Sequence, residues 1–200
     1  MRLSKEQEAA ILGMILGDGY LQPTGKKNAR LRLEHRADHK DYLIWKARLL
    51  PRLFQGNPTF LKRKHPITQK IYSYVRQQSN SSPILGRLRK IFYLNGKKII
   101  PPELGKLLKS DIALAIWYLD DGYYYPRDNC AYLYLGKVSR EEAETASKVI
   151  SKKFLVENSV LDKRQKGFAL YFPHRELAKL RLKIAKYAVP IIMVYKIKFT

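Results

Sequence analysis

Two acidic residues close apolar segments in corresponding parts of this 200-residue chain. Asp18 precedes Gly19 at the end of EQEAAILGMILGDG (6–19), and Asp121 precedes Gly122 at the end of KSDIALAIWYLDDG (109–122). Each segment reads as a helix that stops in an Asp-Gly turn; alone, such an ending is ordinary punctuation. Two of them in matching places point to a pair. Helices packed side by side in parallel bring both carboxylates to one end, where they repel unless a cation neutralises them. Carboxylate oxygens suit hard divalent ions, and Mg²⁺ is the physiological one. Ions held this way activate water and stabilise the attacking and leaving oxygens of a phosphodiester.

The helices must approach closely for this to work. Gly13 and Gly17, four residues apart, expose the backbone of the first along one stripe. The second carries Ala113 and Ala115 near its middle but bulky Tyr118 and Leu119 before Asp120. The contact is therefore expected to be asymmetric, with Ala115 meeting Gly13 or Gly17.

The charge balance names the kind of partner. Lys and Arg exceed Asp and Glu by 22, too large an excess for solubility alone, so a polyanion is expected. The excess is not a tail: residues 1–105 carry 21 basic and 7 acidic residues, and residues 106–200 carry 18 and 10. Cys130 is the sole cysteine, which rules out a disulfide framework and a cysteine zinc site. His35 and His39 straddle a strand end and a helix start, and we expect surface histidines there. No apolar run approaches the ~20 residues of a membrane span, and the acids in MRLSKEQEAA stand where a secretory signal has its apolar region. An intracellular, soluble protein without membrane contact is expected.

The order of elements repeats with half the chain as its period. After the first helix, residues 28–36 alternate, Leu31, Leu33 and His35 on one face and Arg30, Arg32, Glu34 and Arg36 on the other. A helix over 39–54, strands over 59–65 and 70–78, and a helix from Ser82-Pro83 to about Phe92 follow. The second half runs alike: strand 130–137, helix 140–154, strands near 159–164 and 168–172, helix 174–187. The expected division is 1–95, a linker at 96–108, and 109–200.

LGMILGDG (12–19) and LAIWYLDDG (114–122) resemble the two signature helices of the LAGLIDADG homing endonuclease family, in the layout of its single-chain members. The resemblance implies an α+β fold of two αββαββα-type halves related by a pseudo-two-fold axis. Antiparallel sheets would form a DNA-binding saddle, with the motif helices packed at the centre. It places metal binding on the last acid before each motif glycine, Asp18 and Asp121, with the backbone carbonyls of Gly17 and Asp120 as further ligands. Asp120 departs from the pattern, which often has a small residue there. Lysines near the centre are implied in NGKKIIP (95–101) and VPIIMVYKI (189–197), giving Lys98 and Lys196 as catalytic candidates that polarise water or stabilise phosphate charge.

The implied activity is a double-strand break in DNA at one long site, leaving 3′ overhangs, by a monomer with internal pseudo-symmetry. Mg²⁺ is the implied cofactor, with Mn²⁺ accepted and Ca²⁺ bound without cleavage. A twisted antiparallel surface enters the major groove; the outward candidates are Arg30, Arg32, Lys62, Lys64, Tyr72, Tyr74 and Arg76, then Tyr132, Tyr134, Lys163 and Lys166. Two other functions fit the same fold: an intron RNA-binding maturase, and a non-catalytic DNA-binding regulator. The retained aspartates argue against both as sole functions. Met1 at the start and Lys198-Phe199-Thr200 at the end lack splicing-junction residues, so an enzyme not embedded in an intein is expected.

Overall fold

The computed structural model describes residues 3–187 and 189–198; Met1, Phe199 and Thr200, on which the intein expectation partly rests, lie outside them. Ser4 starts α1 (Lys5–Leu16) with a capping box, its hydroxyl accepting from the Gln7 N–H at 3.1 Å while the Gln7 side chain accepts from the Ser4 N–H at 3.0 Å. Then come β1 (Tyr20–Pro23), β2 (Ala29–Arg36), α2 (Lys40–Arg48), β3 (Thr59–Lys64), β4 (Ile71–Gln78) and α3 (Pro83–Phe92). A short hairpin, β5 (Tyr93–Leu94) and β6 (Lys97–Lys98), leads to the single turn α4 (Leu104–Leu107). The order then repeats as α5 (Asp111–Asp121), β7 (Gly122–Tyr125), β8 (Cys130–Gly136), α6 (Arg140–Phe154), β9 (Ser159–Asp162), β10 (Phe168–Phe172) and α7 (His174–Ala185). Both halves are thus αββαββα, as the resemblance implies.

The two four-stranded sheets have equivalent orders, β1-β2-β4-β3 and β7-β8-β10-β9, with every pairing antiparallel. The first strand of each half escaped the pattern reading. β1 is four residues long and ends in Pro23, and β7 follows α5 without a break, so neither shows a run of alternation bounded by turns. The expected linker, 96–108, contains β6 and α4, and β5, the partner strand of β6, precedes it.

The chain forms two compact units. One contains α1 through Gly17, residues 92–189 and the segment from Met193 onward. Its centre is α1 against α5, each buried over eight consecutive residues, Ala9–Leu16 in one and Ile112–Leu119 in the other. A helix apolar on every side belongs in an interior. The inner face of β7-β8-β10-β9, with Leu133, Leu170 and Phe172, joins Trp117, Ile150 and Leu180 in this core. Gly167 closes the β9–β10 connection with φ 81°, beside the Gly136 backbone, where a side chain has no room.

The other unit comprises residues 18–91 and 190–192. Its strand β2 alternates as its sequence predicts: Ala29, Leu31, Leu33 and His35 are buried. They pack with Leu21, Val75 and Leu85 beneath α2, whose Tyr42 and Lys46 are fully buried. The Lys46 ammonium lies 4.6 Å from the Tyr42 ring centre, a cation–π contact that offsets part of its desolvation. No helix among the described residues is long and apolar enough to cross a membrane.

Candidate functional site

The site begins with the bare stripe of α1. A Cβ at Gly13 would stand 2.6 Å from the Ala113 carbonyl oxygen and 3.0 Å from Ile116 Cβ, and one at Gly17 would overlap the Asp120 carboxyl. The absence of side chains at 13 and 17 therefore sets how closely α5 approaches. Ala115 is not among the nearest neighbours, contrary to expectation. Ala113, Ile116 and Asp120, spaced three and four apart, form the facing stripe, and Ala115 falls off that helical phase. Asp120, the departure from the family pattern, thus occupies space over Gly17, one peptide bond before Asp18.

Each motif helix ends on carbonyls that lack intrahelical partners. Lys98, from exposed β6, donates to the carbonyls of Ile15 at 3.0 Å and Gly17 at 2.5 Å. Lys196, ending a 3₁₀ turn over Ile191–Lys196, donates to those of Leu119 at 2.7 Å and Asp120 at 2.8 Å. Lysines from two different segments therefore hold the two carbonyls immediately preceding Asp18 and Asp121. A cation at a helix C-terminus is favourable by itself. Lys196 is buried and its own carbonyl accepts from the Tyr118 hydroxyl at 3.2 Å, whereas Lys98 is exposed. Burial also pushes the Tyr118 phenol well above its ordinary range, so it remains a neutral donor.

Asp121 is the half-buried last residue of α5 and runs directly into β7. Asp18 is exposed, and one of its oxygens lies 3.6 Å from His35 Nδ1. His35 is buried against Tyr42, ring centres 5.1 Å apart. The expectation of a surface histidine is thereby corrected for His35: alternation puts it on the Leu31 and Leu33 face, and that face is the interior. The signal was present in the period of β2.

The open faces of the two sheets differ in chemistry. On the first, Gln22, Arg30, Arg32, Glu34, Tyr74, Arg76 and Gln78 are half-buried opposite the core, and Arg63 pairs with Tyr72 in register. Arg30, Arg32, Tyr72, Tyr74 and Arg76 therefore share a face. Lys62 and Lys64 do not: they stand opposite Ser73 and Ile71 on the other face, because the strand is placed one residue away from the expected phase. Glu34 accepts two bonds from Arg63, at 2.6 and 2.9 Å, and one from Arg76 Nε at 2.7 Å. Burial opposes its ionisation, yet these bonds and charges together hold the carboxyl below its ordinary range.

On the second sheet Tyr132 and Tyr134 share the open face with Tyr123, Tyr125 and Tyr171, which pairing register brings alongside them. The Lys163 ammonium sits 4.6 Å from the Tyr132 ring centre. Lys166 lies exposed in the turn Arg164–Lys166, outside the sheet. Gln22, Tyr123 and Tyr125 were missed because β1 and β7 were not recognised, and Arg63 because β3 was read in the other phase; Glu34, Gln78 and Tyr171 lie on strands that were recognised but were not named as DNA-facing.

Paired buried helices, each followed or ended by an aspartate and joined to an antiparallel sheet with a polar open face, are the features on which the chain was compared with known proteins. Residues 8–180 match the LAGLIDADG DNA endonuclease family, and the chain belongs to that family. A Wickerhamomyces canadensis protein described as a probable intron-encoded endonuclease is 27% identical over 202 residues, covering 98% of this chain and 86% of that one. RecA of Mycolicibacterium flavescens is 37% identical over 129 residues, 63% of this chain but 28% of the relative, so the chain spans only about a quarter of such RecA relatives. The cytochrome b mRNA maturase bI2 of Debaryomyces hansenii is 31% identical over 123 residues, 60% of this chain and 47% of the maturase.

Among solved structures, the homing endonuclease I-WcaI bound to its DNA recognition sequence superposes with a TM-score of 0.89 at 26% identity, covering all of this chain and 89% of that one. A variant of I-DmoI in complex with its target DNA in the presence of Mn shares the fold, with a TM-score of 0.57 at 13% identity over 92% of this chain and 96% of that one.

Proposed function

We propose that this chain is a monomeric, site-specific endonuclease that hydrolyses both strands of duplex DNA with divalent metal, leaving 3′ overhangs. The two repeats correspond to 1–95 and 109–200, joined through 96–108. The observation that carries the reading is the pair of lysines, Lys98 and Lys196, fixed on the carbonyls that precede Asp18 and Asp121. Structural capping explains one such lysine; two in equivalent places, each beside a motif acid, support a paired reaction centre.

The donor set fits a hard cation: the carboxylates of Asp18 and Asp121 and the carbonyls of Gly17 and Asp120 are all oxygen. A carbonyl has two lone pairs, so one oxygen can accept from a lysine and also face a cation. Mg²⁺ is the cofactor we assign, and when bound it supplies charge compensation and a more acidic water. The lysines lend positive charge where the phosphate becomes more negative, and the rigid α1–α5 contact fixes their positions. Asp18→Asn and Asp121→Asn are expected to abolish cleavage while sparing DNA binding in a gel-shift assay. Full cleavage by either variant would overturn the assignment.

A second reading, assistance of intron RNA splicing, rests on the likeness to the Debaryomyces hansenii maturase. It predicts tight binding of host intron RNA that survives Asp18→Asn.

A further inference from the structure

Resting on the reading of the sheets as DNA-binding faces, we infer that they select chemically different stretches of the target: guanines under the first sheet and thymines under the second.

The first sheet presents guanidinium and amide groups: Arg30, Arg32, Arg63, Arg76, Gln22 and Gln78. Arginine reads guanine through two parallel bonds to O6 and N7, and glutamine reads adenine. The structure prepares Arg30, Arg32 and Arg76 for this, whereas Arg63 spends both terminal nitrogens on Glu34. The Arg32 guanidinium carbon lies over the Tyr20 ring, 5.0 Å from its centre, a cation–π contact that by itself uses no N–H donor. Arg76 spends only Nε on Glu34, and Arg30 only Nη1 on Gln78, at 3.0 Å. Glu34 thus holds Arg76 in place without consuming its terminal fork. Two tyrosines of this face are covered, Tyr20 by Arg32 and Tyr74 by Arg63 at 4.9 Å, which leaves Tyr72, 44% exposed, as a single open ring and not an array.

The second sheet is built the opposite way. Tyr123, Tyr125, Tyr132, Tyr134 and Tyr171 form one continuous aromatic array. Ring centres are 4.6 Å apart for Tyr123 and Tyr125, 5.2 Å for Tyr125 and Tyr132, and 5.5 Å for Tyr132 and Tyr171. The Tyr125 and Tyr134 hydroxyls bond to each other at 2.7 Å, which turns part of their hydrogen-bonding capacity inward. Lys163, whose ammonium lies over the Tyr132 ring, places a cation against the array. A lysine is a point charge and lacks the planar fork that matches guanine. What the array offers is rigid apolar surface, and the group in the major groove that rewards it is the thymine C5-methyl.

The test selects the preferred duplex from a randomised library with the intact protein. Each stretch is then resynthesised separately with 7-deazaguanine, which lacks N7, or with uracil, which lacks the methyl group, and affinities are compared. Arg32→Ala and Tyr132→Ala assign each stretch to its sheet. We expect 7-deazaguanine to weaken binding about fivefold or more in one stretch only, the lower bound for a bidentate contact, with the effect lost in Arg32→Ala. Uracil should weaken it about fourfold per contacted thymine in the other stretch only, the value of one buried carbon, with the effect lost in Tyr132→Ala. A preferred duplex whose two stretches respond alike, or analogue effects that persist in both variants, would overturn this inference and leave the endonuclease reading intact. Failure to select any duplex would overturn both.

Discussion

Gly17 lies beneath the Asp120 carboxyl, closely enough that no side chain fits at position 17. This relation couples the two signature helices at the level of the residues preceding Asp18 and Asp121. Alanine is the better helix former by about 1 kcal/mol, so a helix-propensity argument alone predicts that Gly17→Ala stabilises. Overpacking costs about 1–3 kcal/mol and is expected to win. Thermal melts should show Gly17→Ala below the parent, and Asp120→Gly should restore much of the loss in the double variant. Equal losses in the single and double variants would place the clash elsewhere.

The two lysines should separate in stability though not in activity. Lys196 is buried on two carbonyls, so Lys196→Met leaves buried acceptors unpaired at a cost of about 1–3 kcal/mol. Lys98 is exposed and water replaces it, so Lys98→Met should melt near the parent. Both variants are expected to cut slowly, with nicked product accumulating as one strand falls behind. Parent-like cleavage by both would remove them from the reaction.

Acid sensitivity should report on Glu34. Its folded-state pKa is held below the ordinary value of 4.5, so its contribution to stability is fully present above that value and is lost as pH falls through the lower folded value. Urea denaturation between about pH 6 and pH 3 should show a steeper fall for the parent than for Glu34→Gln. Identical slopes would mean that the bonds from Arg63 and Arg76 do not persist in solution.

Binding to duplex DNA should weaken steeply with salt. A surface that neutralises roughly 6–10 phosphates loses about 10³–10⁵ in affinity between about 50 and 200 mM salt. Filter binding across that range checks it, and a shallow dependence would contradict an extended basic interface.

Much of this was written in local patterns. The period of β2 placed Leu31, Leu33 and His35 inside, and strand and helix periods plus the two Asp-Gly endings gave the repeated order without β1 and β7, which only the family resemblance implied. What stayed hidden depended on tertiary placement. The phase of β3 hangs on its pairing with β4, and a single-residue difference moved Lys62 and Lys64 off the Arg63 face. His35 looked like a surface residue until its neighbours were considered as a face and not as a pair with His39. The tyrosine array is contributed by three strands, of which β7 carries no alternation boundary of its own. Asp120 had no role in the motif pattern because its neighbour, Gly17, belongs to the other helix.

The central claim is metal-dependent hydrolysis of one DNA site by Asp18 and Asp121. It is tested most directly by incubating the protein with a randomised duplex library in Mg²⁺ and, in parallel, in EDTA, and sequencing the ends. Cutting at a single long site with 3′ overhangs is expected in Mg²⁺, and none in EDTA. Cutting that persists in EDTA, or breaks scattered without a common site, would contradict it.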